Sequence, residues 1–483
     1  MKIIKLNIVV VLLFNQISYA QRQANIWYFG DHAGIDFNSG IPHAITDGQT
    51  YFSYNHAEGS AAICDSTGAL LFYSNGEKVW NKLHSVMPNG NNLSGSFSSS
   101  QAALIVPAPG GGDSLFYLFT PDGFFPEDTP YTGLRYSVIN MCAAGGLGDV
   151  LPQTKNVLLQ DSCLEKIVVV KHANGTDYWV IVHKVFTNNF YSYLISSNGI
   201  SLGSLSSIGS IHSSYWGTLG QMKISPDGSH LELLCGNGSS LLELFDLDIT
   251  TGLLSNFINL SPSSCAPYGV SFSPDNTKLY ISYSGVAIPY CRISQFDLNA
   301  GGGNPDSIRN SETVIFGSAN ALSQAGMQLG PDGKIYLVPF TSLQHLSVIN
   351  YPNLKGSACM FADTVISLLG RTVNYTLPGT IDSYNFTNRI SPCPTDDISD
   401  LQNEFSIQLS PNPVKNTLVV SSWFAINTCE FYNVHGEKIN AISQRTANYK
   451  QRIEIEVSAL APGMYFVKIT TEKGIVVKKF IKV

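Results

Sequence analysis

One stretch limits the possible folds more than any other: GVSFSPDNTKLYISY, Gly269 to Tyr283. Val270 and Phe272 alternate with Ser271 and Ser273, the period of a strand with one buried face. Pro274-Asp275-Asn276 then turns the chain, since proline presets φ while Asp and Asn bond their own backbone and tolerate left-handed geometry. Leu279, Tyr280 and Ile281 open the return strand. The unit recurs as GQMKISPDGSHLELL from Gly220 and GMQLGPDGKIYLV from Gly326. Weaker copies, each an apolar strand, a Gly turn and an aromatic-rich strand, start at Ala61, Leu104 and Val168. From Gly68 to Gly333 the turns repeat at about 53 residues, a period that suits four-stranded propeller blades with long loops.

Upstream of the first copy, NIWYFG and AGIDFN make a hairpin, Asn25 to Asn38, with no inner strand of its own. The period places its partner at LPGTIDSYNF, Leu377 to Phe386. The hairpin then completes the last blade and closes the ring, which removes exposed sheet edges. Seven blades of about 53 residues fill 22–392, with six or eight as alternatives. Around Pro392, Pro394 and Asp396-Asp397 the chain has little apolar surface to bury, so 393–404 reads as a linker. Past Phe405, alternating runs at Thr417–Val420, Glu430–Asn433 and Tyr465–Thr470 are cut by Gly and Pro turns. The fold class expected is all-β: a seven-bladed β-propeller followed by a small Ig-like β-sandwich over 405–483.

The compartment is written at the N-terminus. Lys2 and Lys5 precede the apolar run Ile8 to Phe14, and Ser18-Tyr19-Ala20 gives a small-x-small cleavage site. Residues 1–20 therefore read as a signal peptide, too short in its apolar core for a membrane anchor. Gln21 follows the cut, which disfavours a lipoprotein, and no later run suits a transmembrane helix. An exported chain with nine cysteines allows disulfides. Cys265–Cys291 is the first candidate pair, on one face of one blade, and Cys142–Cys163 the second. Cys64 and Cys429 sit inside strand patterns and read as buried thiols.

Charge divides the chain. Residues 21–405 carry 16 Lys and Arg against 30 Asp and Glu, whereas 406–483 carry 10 against 5. The acidic body argues against nucleic acid as a partner and is compatible with cations, neutral glycans or basic surfaces.

Two resemblances follow from these residues. NIWYFGDHAGIDFNSG, EGSAAICDSTGALLFYSNGEKVWN, VMPNG and SSSQAALIVPAPG resemble a family of secreted Bacteroidetes propeller proteins, and the SPDG turns resemble TolB-type and WD40-like repeats. That likeness implies fold and compartment and no particular chemistry. IQLSPNPVKNTLVV, EFYNVHGEKI and IEIEVSALAPGMYFVKITTEKGIVVKKFIKV resemble the type IX secretion C-terminal sorting domain. The matching positions include Pro411, Asn412, Pro413, Gly436, Leu460, Gly463, Tyr465, Lys478, Lys479 and Lys482. This second likeness implies passage through the periplasm, type IX machinery as a partner, and release or display at the outer cell surface. A generic Ig-like adhesion module is the alternative.

Catalytic motifs are scarce. HExxH and GxxxxGK[ST] do not occur, so a zincin and a P-loop enzyme lack support. No zinc-ligand spacing occurs, and no metal or cofactor is expected. Asp246 to Gly252 begins like a calcium loop and partly echoes the quinoprotein repeat. Phe257 stands where an EF-hand needs glutamate, so a plain Asp/Thr/Gly turn is the alternative.

The propeller itself supplies a guide, because loops preceding inner strands meet at one mouth of the channel. Those loops carry Glu58, Gln101, Glu165, Tyr268 and Gln324, with His56, Tyr215 and Trp216 close by. Carboxylates, amides and aromatics of this kind suit a polar ligand such as a glycan, with rings stacking on sugars, or a protein segment. Two glutamates also fit the acid/base pair of a glycan-active or lactonase-like hydrolase, although no sialidase Asp box is present. The plain alternative is that they satisfy inner-strand ends and channel water, as in a structural surface-layer component. Trp27, Trp80 and Trp179 lie in strand patterns and are expected between blades. The reading is a monomeric cell-surface or secreted binding protein.

Overall fold

The computed structural model describes residues 22–382 and 407–483, apart from 52–57, 111–113, 124–132, 213–218, 237–239, 262–265, 285–290, 319–324, 423–424, 434–435, 440–443, 447–451 and 472–473. The chain divides into two compact units, Met1–Cys393 and Pro394–Val483.

The first unit is a β-propeller. Its described residues form seven antiparallel sheets, here sheets 1 to 7 in chain order. Sheet 1 is Ile26–Phe29, Ala33–Asp36 and His43–Ile45. Sheets 2 to 7 begin on the inner strands Ala61–Cys64, Leu104–Pro107, Val168–Lys171, Met222–Ile224, Ala266–Phe272 and Met327–Leu329. Each of these pairs with the next strand in sequence, so every copy of the repeated unit is a hairpin. In sheet 6 Val270 faces Ile281 and Phe272 faces Leu279. Asp275 organises the turn by accepting from Thr277 N at 3.1 Å and Ser273 Oγ at 2.6 Å, with Asn276 at φ 62°.

The alternation in this strand predicts one buried face, and the structure buries both. Ser271 and Ser273 are 1% and 0% exposed. An inner strand has a neighbouring sheet on either side, so its polar positions are small hydroxyls that find partners locally. Ser271 Oγ donates to Phe272 O at 3.3 Å, and Ser273 Oγ to Asp275.

The core lies between sheets. Trp27 meets Tyr336 of sheet 7 edge-on at 5.5 Å. Trp179 donates from Nε1 to Ile249 O of sheet 5 at 2.9 Å. Trp80 stacks on Tyr73 within a cluster that includes Tyr28 of sheet 1. All three tryptophans pack as their strand positions predict.

Sheet 1 closes the ring as a bridge between sheets 7 and 2. Trp27, Phe29, Ile35 and Phe37 join Tyr336, Val348, Val373 and Leu377 in one cluster, while Tyr28 packs on Ala62 and Tyr73. Asp31 N donates to Thr372 O at 2.8 Å. Gly30 is required there, since at φ +57° a Cβ would lie 2.1 Å from that carbonyl. Residues 377–382 carry no assigned strand, unlike the inner strand expected of them. They nevertheless run beside the start of sheet 2, where Gly379 N donates to Ser60 O at 2.7 Å. Residues 383–386 lie outside the described residues.

The second unit is a sandwich of two four-stranded antiparallel sheets. One holds Gln408–Ser410, Thr417–Ser421, Gln444–Thr446 and Arg452–Glu456. The other holds Ile426–Tyr432, Lys438–Ile439, Gly463–Thr471 and Gly474–Lys482. Leu418, Val420, Phe431, Ile455, Val467, Ile469 and Phe480 fill its core.

Cys64 and Cys429 are buried thiols, as their strand positions predict. Cys163 is also a free, fully buried thiol, so the Cys142–Cys163 bridge is not formed. The residue lies inside a core cluster between sheets 3 and 4, whereas Cys142 is exposed. Cys265 and the side chain of Cys291 lie outside the described residues, as do the signal peptide and 393–404.

Candidate functional site

The segments that lead into the inner strands are fastened into a ring. Gly59 N donates to Ser99 O, Gln101 N to Glu165 O, Gln221 N to Tyr268 O and Gly326 N to Tyr375 O, at 2.8–3.0 Å. Side chains then cross between sheets that are not neighbours. Gln101 Oε1 accepts from Met222 N at 2.9 Å while its Nε2 donates to Ile167 O at 3.1 Å. Ser100 Oγ accepts from Gly220 N at 3.1 Å, and Gln221 Oε1 accepts from both Val270 N and Met327 N. The approach is close enough to require Gly59, whose Cβ would sit 1.9 Å from Ala102 N.

Of the residues picked from sequence, Glu58, Glu165, Gln101 and Tyr268 all belong to this ring. Tyr268 donates its hydroxyl to Glu58 Oε2 at 2.7 Å, and Ser100 Oγ lies 3.5 Å from Glu165 Oε2. Glu58 is 7% exposed, Glu165 0% and Tyr268 1%. Burial first, and the neighbouring Glu165 second, raise the Glu58 carboxyl well above its usual range, outweighing the hydrogen bonds from Tyr268 and Ser100. Burial and Glu58 likewise raise the Tyr268 phenol. Glu58 is thus biased toward its protonated form, because two carboxyl groups share one buried site. Gln101 is a different case, because both ends of its amide hold backbone groups. Tyr375 lies half-buried beside the ring, 6.4 Å from Tyr268, on the segment that closes the propeller. Gln324, Trp216, His56 and Tyr215 lie outside the described residues.

Along the channel, Lys223 of sheet 5 lies 3.4 Å from Asp382 Oδ2 and donates to Gln328 Oε1 of sheet 7. Gln328 Nε2 in turn donates to Asp382 Oδ1 and Thr380 Oγ1 at 2.6 Å. A cavity of about 60 Å3 remains near Gly379–Asp382, room for roughly two waters. Asp248, singled out as a possible calcium ligand, caps its turn by accepting from Thr250 N and Thr251 Oγ1 at 2.8 Å.

Sequence reading missed a second polar cluster between sheets 4 and 5. Cys235 Sγ lies 2.9 Å from His212 Nδ1, and His212 Nε2 lies 2.9 Å from Glu243 Oε2. His183 stacks on His212 at 4.2 Å, and Lys166 is fully buried alongside, donating to Leu219 O at 3.2 Å. Burial opposes a proton on His212, but the Cys235 sulfur and the Glu243 carboxylate outweigh it and raise the group to about 9. Burial, aided by His212 and Lys166, pushes His183 well below its ordinary value.

The linkage has a definite sign. A folded-state value above the unfolded value of about 6.5 means stability present in full below that pH and lost as pH rises through about 9. The His212 contribution is on the order of 3 kcal/mol. His212→Gln is expected to lower the melting temperature at pH 6 and to flatten its decline between pH 6.5 and 9. A pH series of thermal melts on both chains checks this. An unchanged slope would mean that His212 is neutral in the fold.

In the tail, the residues read as a sorting signal form one end of the sandwich. Asn412 Oδ1 accepts from Ile481 N at 2.9 Å, and Val414 N donates to Ile481 O at 2.7 Å. Tyr465 stacks on Phe480 at 5.6 Å and donates to Ala461 O at 2.9 Å. Gly436 turns the chain at φ 78°. Lys478 and Lys479 lie on the last strand, and Lys482 is buried near its end.

These two units make the chain a secreted β-propeller protein with a sorting domain. Residues 408–483 match the family described as "Secretion system C-terminal sorting domain", which marks export by type IX secretion to the cell surface or extracellular space. That route implies contact with the secretion machinery. No helix among the described residues is long and apolar enough to cross a membrane.

No curated protein matches the chain. Similar solved structures include a functionally unknown protein from Desulfotomaculum acetoxidans, at 12% identity and TM-score 0.42, covering 73% of this chain and 98% of that one. A putative 6-phosphogluconolactonase from Bacteroides fragilis aligns at 14% identity and TM-score 0.36, covering 58% and 77%. TolB from Acinetobacter baumannii aligns at 11% and 0.31, covering 64% and 63%. Likeness at this level carries no inference about activity.

Proposed function

We propose that this secreted propeller works by binding, and that it takes a polar ligand, best a glycan, at the mouth of its channel. One observation carries the reading: Glu58, Glu165 and Tyr268 come from three different sheets to one ring, with Tyr375 half-buried beside them. Polar groups fixed in place by hydrogen bonds, next to aromatic rings, are the makings of a sugar site. The loops just before the ring add His56, Tyr215, Trp216 and Gln324 to the same end of the sequence repeat. The signal peptide over 1–20 and the tail over 405–483 act as addresses, and the propeller over 22–392 is the working part.

The full chain, titrated with surface and plant polysaccharides, is expected to bind at least one saturably. Trp216→Ala and Tyr375→Ala should each weaken that binding about tenfold, the loss of one good stacking contact. A structural surface-layer component would bind none of them.

Hydrolysis is the second reading, favoured by the upward shift of the Glu58 carboxyl. A general acid needs such a raised carboxyl. It requires that the full chain cleave a bound glycan and that Glu58→Gln abolish cleavage while sparing affinity.

A further inference from the structure

A crevice of about 540 Å3 opens between sheets 5 and 6, away from the mouth. Inner strands start at the mouth, so the turn joining the third and fourth strands of each sheet lies on the opposite face. The crevice is built from those turns and the outer strands beside them. Its volume falls within the range of about 300–1,000 Å3 typical of small-molecule sites.

One wall belongs to the outer strands of sheet 5, Leu241–Asp248 and Leu253–Asn259. Their register shifts between Leu244, which faces Ile258, and Asp246, which faces Ser255. Asn256 and Phe257 occupy the resulting bulge, Asn256 at φ 50°. Bulges re-aim side chains, and this one does so for Asn256 and Phe257. Asn256 Nδ2 donates to Asp246 Oδ2 at 2.6 Å. His230 Nδ1 lies 3.1 Å from Asp246 Oδ1 without the alignment of a hydrogen bond. Phe257 stacks on the buried Phe245 at 5.5 Å and remains 38% exposed, an aromatic ring in view of solvent on an outermost strand.

The other wall is the segment from Leu298 to the helix Pro305–Asn310, inserted before the last strand of sheet 6. Leu298 and Ile308 are buried and supply an apolar floor. Arg309 fixes the insertion across the crevice, donating from Nε and Nη2 to Asn259 O at 3.1 and 2.8 Å. The two walls are therefore tied together, and the crevice is a built feature.

We propose that this crevice binds a neutral sugar unit of the pyranose class. Asp246 and Asn256 hold an acceptor and an amide side by side, the pair that adjacent hydroxyls require. The Phe257 face suits the C–H face of a sugar ring. Both Asp246 oxygens already have a nitrogen neighbour, Asn256 Nδ2 on one and His230 Nδ1 on the other. Asp246 is the first residue of the segment that resembles a calcium loop. Its partner there, Asp248, turns the chain and is turned to its own backbone.

Saturation-transfer NMR on the full chain with a panel of methyl pyranosides tests the site. Tyr375→Ala serves as background, so that binding at the mouth is kept separate. At least one pyranoside should show contact through its C–H face. Phe257→Ala should reduce its affinity about tenfold or more, and the near-isosteric Asp246→Asn should reduce it as well, with the melting temperature kept. The proposal is overturned if no pyranoside binds saturably, if binding survives both substitutions, or if an alkylammonium ion displaces the sugar as the preferred guest. Loss of binding at the mouth alone leaves these outcomes unaffected.

Discussion

A chain lacking residues 403–483 is expected to accumulate in the periplasm as a folded propeller, with export falling to background. The tail has its own core, and the strands of its two sheets pair only with one another among the described residues. Its removal therefore leaves the seven sheets of the propeller with every strand partner they have. The residues that match the sorting family are all removed with it. The tail is basic and the body acidic, so the two differ in surface chemistry as well as in fold. Cell fractionation with the truncated chain is the check, together with its polysaccharide affinity, which should equal that of the full chain. Truncated propeller in the medium would mean that the tail is not the address.

Deleting residues 22–40 is expected to abolish cooperative unfolding of the whole propeller. The hairpin buries Trp27, Phe29, Ile35 and Phe37 against sheet 7 and the segment around Val373 and Leu377. Each such side chain contributes about 1.5–3 kcal/mol when fully buried. Four of them amount to about 6–12 kcal/mol, comparable with the whole stability of an ordinary domain, about 5–15 kcal/mol. The deletion also strips cover from Tyr336 and Val348 and removes the Asp31–Thr372 tie. A thermal melt followed by circular dichroism reads the outcome. A truncated chain melting like the intact one would show that ring closure does not depend on sheet 1.

Much of this was legible because the repeat is local. Each hairpin turn is marked by a Pro-Asp, Asx or Gly residue within a few positions of its strands, and strand order follows chain order in every propeller sheet except for an extra strand in sheet 3. Counting the period placed the partner of the first hairpin at Leu377–Phe386; Leu377 packs on the hairpin, whereas its backbone tie falls earlier, at Thr372. Glu58, Glu165 and Gln101 were picked because they precede inner strands, and Tyr268 lies near the start of one, Ala266–Phe272, so the ring of strands brings these positions to one end. Sequence did not tell that Gln101 serves backbone groups, since its partners Met222 and Ile167 lie 121 and 66 residues away. The Cys235–His212–Glu243 group was invisible for the same reason: no spacing rule links those three residues. Cys163 misled because its place in the chain said nothing of its burial in a core cluster, while Cys142 is exposed.

Hydrogen exchange on the full chain, with and without a bound polysaccharide, is the most direct test of binding at the mouth. The expected result is slowed exchange in peptides spanning 52–60, 213–221 and 372–379, with the tail unchanged. Protection confined to the tail, or to the outer strands with those three segments unaffected, would contradict it.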